Sequence, residues 1–256
     1  MLPAQVHVKS KPAKRTPSAA KTVAPAPASK RKELPRKRVF LVDDHPMMRD
    51  GMGRLIDSEP GLMCCGGAKS AEEAISEIPK CNPDLVITDI TLPKRSGMEL
   101  IKDLAVIHPE IPVFVYSMHD ENFYAERALR AGARGYLMKE AGSEKMLEAI
   151  RQVLAGEISV SPAMAAKILK VFSAAQPRGS HSPVQSLTDR EFDVFQLIGQ
   201  GRSTKEIAAQ LHLSHKTVAV HRGHIKEKLG LTSSSELVHQ AIRWASSSEG
   251  GDGAKK

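Results

Sequence analysis

Leu85-Val86-Ile87-Thr88-Asp89-Ile90-Thr91-Leu92-Pro93 is the stretch whose reading decides the fold. Leu85, Val86 and Ile87 are apolar, two of them β-branched, and read as a buried strand that ends at Asp89. A short loop then runs to Pro93 and Gly97. In an open parallel α/β sheet, ligands bind beyond the carboxyl ends of the strands, so Asp89 stands where chemistry is expected. Taken alone, an Asp after a hydrophobic strand reads more readily as a cap on the following loop or helix. Three other strand ends decide between these readings.

Val39-Phe40-Leu41-Val42-Asp43-Asp44 is an apolar run ending in two adjacent carboxylates. Such carboxylates repel one another, which makes a cation a natural partner. Mg2+ takes oxygen ligands and keeps several waters, so a few carboxylates and carbonyls suffice. Val113-Phe114-Val115-Tyr116-Ser117 ends in a hydroxyl, and Gly135-Tyr136-Leu137-Met138-Lys139 ends in an ammonium. Together these groups suit a phosphoryl group on Asp89. The cation and Lys139 neutralise its oxygens, and Ser117 donates a hydrogen bond.

Strands and helices alternate from Val39 onward. Pro46 to Ile56 reads as a helix whose Met47, Met48, Met52, Leu55 and Ile56 lie mostly on one, core-facing side. Leu62 to Gly67 reads as a strand, and Ser70 with Glu73 as a capping box opening the next helix. Helix 97–107, strand 113–116, helix 120–131, strand 135–138 and helix 143–155 complete five β/α units. That alternation implies a doubly wound parallel sheet with helices on both faces.

Residues 37–157 resemble the receiver domain of bacterial two-component response regulators, a five-stranded flavodoxin-like fold. The acid pair, Asp89, Ser117 and Lys139 carry the resemblance, with Pro93 and Gly97 at their spacing from Asp89. It implies that Asp89 accepts a phosphoryl group from a sensor histidine kinase. It implies Mg2+ held by Asp43, Asp44, Asp89 and the backbone carbonyl of Thr91. Ser117 becomes the switch hydroxyl, Lys139 the phosphate partner and Tyr136 the switch aromatic. Leu92 departs from the family, which often has Met there, but the swap conserves volume.

After residue 157 the pattern changes. Residues 158–186 read as a connection, with an amphipathic helix from Ser161 to Ala175 through Met164, Ile168, Leu169 and Phe172. A flexible linker is expected over 176–186, which holds Pro177, Gly179 and Pro183. Capping boxes then recur at Thr188/Glu191, Ser203/Glu206 and Ser233/Glu236, and Ser214 is an N-cap without an acidic partner. Four helix starts in so short a span indicate a small all-α bundle, and the pair 203–211 and 214–229 has helix-turn-helix proportions. At 100° per residue, Val218, His221, Ile225 and Leu229 share the bundle-facing stripe. Lys216, Ala219, Val220 and Gly223 lie opposite, where a major groove would sit. Lys226 and Lys205 are natural phosphate contacts, and Thr217 and Arg222 complete the set of DNA-contact candidates.

Residues 187–248 resemble the LuxR-type helix-turn-helix domain, through Leu187-Thr188-x-Arg190-Glu191, Gly201-x-Ser203-x-Lys205-Glu206-Ile207-Ala208, Leu211-x-Leu213-Ser214-x-Lys216-Thr217-Val218-x-x-His221 and Lys228-Leu229-Gly230. With the receiver, this is the plan of a NarL/FixJ-type response regulator. The plan implies promoter DNA as a partner, a homodimer on phosphorylation, and RNA polymerase as a further contact. Gly223 departs from the family, where a longer polar side chain is common. Readout is then expected to rest on methyl contacts and DNA shape.

Composition agrees. The chain of 256 residues has a net charge of +8, unevenly distributed. Residues 1–38 hold 11 Lys and Arg against one acid, residues 39–157 hold 13 against 20, and residues 158–256 hold 13 against eight. The middle is acidic and both ends basic, so the ends are expected to meet a polyanion. Residues 1–36 are poor in large apolar side chains and read as disordered, either as a polycationic arm for DNA or as a solvated leader. Residues 249–256 read as a disordered tail. No apolar run reaches membrane-spanning length, no signal-peptide core is seen, and Cys64, Cys65 and Cys81 read as buried reduced thiols, so a cytoplasmic location is expected.

The reading is a phosphorylation-controlled DNA-binding regulator, not an enzyme beyond its own phosphoryl transfer and hydrolysis. The acidic receiver is expected to lie against the recognition helix and cover it. Phosphorylation would then turn Ser117 toward the phosphate and draw Tyr136 inward. One alternative is a regulator whose receiver only dimerises, against which the intact site counts. Another is a magnesium-dependent phosphohydrolase, which needs a second Asp where this chain has Thr91.

Overall fold

The computed structural model describes residues 35–173 and 183–249. The basic arm up to residue 34, linker residues 174–182 and the tail from 250 lie outside the described residues. Strands β1 (Lys37–Val42), β2 (Leu62–Ala68), β3 (Leu85–Thr88), β4 (Val113–Ser117) and β5 (Gly135–Met138) form one parallel sheet in the order β2-β1-β3-β4-β5. The chain runs from β1 outward to β2 and then crosses back to β3. The switch point, where such folds bind ligands, therefore falls between β1 and β3. Val42 is in register with Thr88, so Asp43 and Asp89 leave the sheet side by side.

Alternation along the strands splits the core into two layers. Val39, Leu41, Ile87 and Phe114 pack with Met52 and Ile56 of α1 (Pro46–Ser58) and Ile150 of α5 (Ser143–Leu154). Phe40, Val42, Val86 and Val115 face Ile78 of α2 (Ala71–Cys81), Leu100 and Ile101 of α3 (Gly97–Ile107), and Tyr124 of α4 (Glu121–Ala131). Gly97 is demanded by packing, because a Cβ there would lie 1.9 Å from the carbonyl oxygen of Asp89. Its amide donates to Ile90 O at 2.7 Å, which pins the loop after Asp89 to the start of α3.

Helix α6 (Pro162–Ser173) follows the sheet, and α7 (Asp189–Gly199), α8 (Thr204–Gln210), α9 (His215–Leu229) and α10 (Ser234–Glu249) form the second domain. Thr188/Glu191 and Ser203/Glu206 are reciprocal capping boxes, and Ser214 Oγ accepts from Thr217 N as the N-cap of α9. Ser96/Glu99 is a further box at the start of α3. Pro183–Ser186, expected as the end of a loose linker, forms a short 3-10 turn with Val184 buried.

Two local expectations change. Met47 is 89% exposed, since it occupies the first turn of α1 at the carboxyl edge of the sheet, beyond the core that holds Met52. Cys64, Cys65 and Cys81 are free but only half-buried: the first two lie on the edge strand β2, and Cys81 is the last residue of α2. Among the described residues no helix is long and apolar enough to cross a membrane.

Candidate functional site

The sequence-selected groups at the carboxyl edge converge on Asp89. Ser117 Oγ donates to Asp89 Oδ1 at 2.6 Å, and Ile90 N donates to the same oxygen at 2.6 Å. Lys139 Nζ donates to Asp89 Oδ2 at 2.5 Å and to Asp43 Oδ2 at 2.6 Å. Asp43, Asp89 and Ser117 are buried. Burial alone would lower the Lys139 ammonium, but the carboxylates of Asp89 and Asp43 outweigh it and hold its pKa raised. The site thus keeps a fixed cation where negative charge would accumulate.

The acid pair suits a divalent cation. Asp43, Asp44 and His45 offer ligand atoms within 4.8 Å of one another. Asp44 Oδ1 is buried without a hydrogen-bond partner, although His45 Nδ1 stands 2.8 Å away. Adjacent carboxylates at a strand end are the donor chemistry that Mg2+ uses. The neighbouring backbone is held from outside the mouth, since Arg49 Nη1 donates to Asp43 O at 2.5 Å. Thr91 lies two residues beyond Asp89, and its hydroxyl meets His119 Nε2 at 2.8 Å.

The switch pair departs from expectation. Ser117 already points at Asp89, and Tyr136 is already buried, with its hydroxyl donating to His119 O at 2.9 Å. In this arrangement the Asp89 carboxylate is the acceptor for the Ser117 hydroxyl.

Helix α9 presents the faces read from its sequence. Val218 and Ile225 are buried, Leu229 and His221 half-buried. Desolvation lowers the His221 pKa, which favours a neutral, packed imidazole. Lys216, Ala219, Val220 and Gly223 are exposed, as is Lys205 on α8, while Thr217, Arg222 and Lys226 are half-buried. The receiver does not cover this face, contrary to expectation. It docks instead on α7, on α10 and on the turn between α8 and α9, because those elements carry the groups that match α4. Tyr124 of α4 is hydrogen-bonded to Asp193 and Gln196 of α7, and the Arg127 guanidinium lies 4.1 Å from the Phe192 ring centroid. Arg127 also donates to the carbonyls of Leu187 and Val184, at 3.1 and 3.0 Å. Phe123 meets Trp244 of α10 at 4.9 Å. At the mouth, His212 Nε2 lies 3.2 Å from Asp44 Oδ2, and Arg190 Nη2 reaches the carbonyls of Leu92 and Lys94 at 3.3 Å.

The joint groups Tyr124, Arg127, Asp193 and His212 were not singled out from the sequence. Each sits on an amphipathic helix or in a turn where a solvated role reads equally well, and only pairing across domains distinguishes them. The one available signal was Asp193, an acid set among Phe192, Val194 and Phe195.

Comparison with known proteins covers both halves. Residues 39–151 match the response regulator receiver domain, and residues 185–241 match the luxR family of bacterial regulatory proteins. The response regulator GacA of Pseudomonas aeruginosa is 37% identical over 207 residues, covering 80% of this chain and 95% of GacA. The transcriptional regulatory protein UhpA of Salmonella typhimurium is 37% identical over 202 residues, 79% of this chain and 96% of UhpA. Among solved structures, a LuxR-family two-component response regulator from Aurantimonas sp. covers 54% of this chain and 98% of its own, at 34% identity and a TM-score of 0.50. Salmonella typhimurium RcsB shares the fold over 82% of this chain and 98% of its own, with a TM-score of 0.57 at 22% identity. The chain belongs to the NarL/FixJ-type response regulators, the DNA-binding transcription regulators of two-component systems that join a receiver to a LuxR-type domain.

Proposed function

We propose that Asp89 is the phosphoacceptor and that a sensor histidine kinase is the donor. The observation that carries this is the convergence of Ser117 and Lys139, from two other strand ends, on the two oxygens of Asp89. A carboxylate oxygen of Asp89 attacks the phosphorus of the kinase phosphohistidine, and the imidazole leaves with the bonding pair. Lys139 and Ser117 then hold the phosphoryl oxygens by charge and hydrogen bonding. Asp43, Asp44 and Asp89, with the Thr91 carbonyl, would hold Mg2+, whose charge neutralises the transferred group. Acetyl phosphate with Mg2+ is expected to place one acyl phosphate on the chain, and Asp89→Asn to abolish it. Equal labelling of that variant would overturn the assignment.

For the second domain, the reading is that α9 enters the major groove of promoter DNA. On this reading Lys216, Ala219, Val220 and Gly223 face the groove, Thr217 and Arg222 are further DNA contacts, and Lys205 and Lys226 meet phosphates. The exposure of Lys216, Ala219, Val220 and Gly223 on one side of α9 supports it. Phosphorylation shifts DNA affinity or dimerisation by the typical coupling of about 1–3 kcal/mol. Because the recognition face is open, control is exerted at the joint around α7 and the turn at His212. Comparing the phosphorylated and unphosphorylated full chain on one DNA tests this. Equal affinity together with equal oligomeric state would make the receiver a fixed scaffold.

A further inference from the structure

Arg190 belongs to the first turn of α7, in the DNA-binding domain, yet its side chain reaches into the receiver. Its Nη2 donates to the carbonyls of Leu92 and Lys94, each at 3.3 Å. Both carbonyls lie in the loop between Asp89 and α3. The Arg190 side chain is only 11% exposed, so these bonds are shielded from bulk water. Asp193, one turn along α7, aims the guanidinium, with Oδ2 at 3.5 Å from Nη1. Asp193 is itself tied to α4 by the Tyr124 hydroxyl at 2.8 Å. Nε and Nη1 of Arg190 meet no hydrogen-bond acceptor among the described residues, so its grip is on the two loop carbonyls.

The loop needs that grip. Lys94 adopts φ +66°, a left-handed conformation that residues with a Cβ rarely take. Arg95 N donates to Pro93 O at 2.9 Å, closing a three-residue turn around Lys94. With a positive φ at its centre this is the rare, strained form of such a turn. Strain of this kind persists only where the surroundings hold it. Within the receiver the loop is tied at its base, by Gly97 N to Ile90 O. Arg190 holds it further out, at Leu92 and Lys94. Thr91 precedes Leu92 by one peptide, so a loop fixed at the Leu92 carbonyl leaves the Thr91 carbonyl little freedom to swing.

We propose that Arg190 is a positioning residue for the phosphorylation site: from the DNA-binding domain it clamps the loop after Asp89 and thereby sets the Thr91 carbonyl for the cation. The proposal rests on the reading of that carbonyl as a Mg2+ ligand. Outer partners that orient metal ligands typically contribute about 10–100-fold in metal affinity. Two bonds of 3.3 Å, acting one peptide away, belong at the lower end, near tenfold.

The test uses the full chain and two readouts, neither of them phosphorylation. The first is calorimetric titration with MgCl2 in a His212→Ala background, where Asp44 has no imidazole to lose if the joint loosens. Adding Arg190→Ala to that background should weaken Mg2+ binding by up to about tenfold. Arg190→Lys, which keeps a donor and the charge on a shorter stem, should recover part of the loss. The second readout is amide hydrogen exchange at Arg95 in the metal-free chain, which should quicken in Arg190→Ala and less so in Arg190→Lys. Unchanged Mg2+ affinity in the Arg190→Ala chain, or unchanged exchange at Arg95, overturns the clamp. A wild-type chain that binds no Mg2+, or an Asp44→Asn chain that binds it equally well, fails the metal reading instead, and exchange then decides whether Arg190 holds the loop.

Discussion

His212 Nε2 of the DNA-binding domain stands 3.2 Å from Asp44 Oδ2 of the receiver, so the turn before the recognition helix touches the carboxylate pair that suits Mg2+. With Mg2+ held at Asp44 as proposed, metal and imidazole would compete for that carboxylate. His212→Ala is expected to tighten Mg2+ binding by no more than about fivefold, the worth of one partly exposed pair. Calorimetric titration of the full chain with MgCl2 measures it, and weaker binding in the variant would contradict the competition.

Gly97 is the backbone counterpart of this arrangement. Its missing Cβ leaves room for the Asp89 carbonyl oxygen, 1.9 Å from where a Cβ would stand. Gly97→Ala must move either the loop after Asp89 or α3, at a cost of about 1–3 kcal/mol or more. A urea midpoint equal to wild type would show that the loop yields freely.

Recognition is expected to divide by chemistry along α9. Lys216→Ala should lower affinity, whereas Val220→Ala and Gly223→Lys should change which sequence is preferred. Selection from a random DNA pool with each variant reads both effects. Three unchanged profiles would remove the groove-facing assignment.

The DNA-binding domain should lose stability in acid through Glu191. Burial pushes this carboxyl up, but hydrogen bonds from Lys228 Nζ, at 2.7 Å, and from Thr188 outweigh it and hold its pKa below the ordinary value. A depressed carboxylate contributes stability above its unfolded pKa of about 4.3, and this is lost as pH falls through the depressed value. Glu191→Gln should cost on the order of 1–3 kcal/mol near neutrality and flatten that acid limb, as read by urea unfolding across pH. A limb as steep as wild type would point to another carboxylate.

Residues 1–38 hold 11 cationic side chains. Each DNA phosphate they neutralise contributes about −0.9 to the slope of log affinity against log salt. Deleting residues 1–36 should weaken binding to all sequences alike and flatten that slope. An unchanged slope would make the arm a bystander.

The sequence by itself determined the sheet, the helix starts and the four strand ends that meet at Asp89. These follow from local rules: β-branched runs make strands, Ser and Thr with a following Glu make caps, and parallel topology sends every strand's carboxyl end to one edge. The stripe of Val218 and Ile225 was legible for the same reason, since helical period alone assigns a face. Only the tertiary structure decided how the two domains meet. The receiver was expected against the recognition helix on net charge, and it docks on α7 instead, because short-range matches such as Tyr124 with Asp193 and Arg127 with Phe192 outweigh a screened long-range attraction. The positions of Ser117 and Tyr136 were equally out of reach, because they depend on which acceptor stands 2.6 Å from the Ser117 hydroxyl in the folded chain. The half-buried cysteines and the exposed Met47 make the same point: burial is set by which strand lies at the edge and where a helix enters, and neither is encoded within a few residues of the side chain concerned.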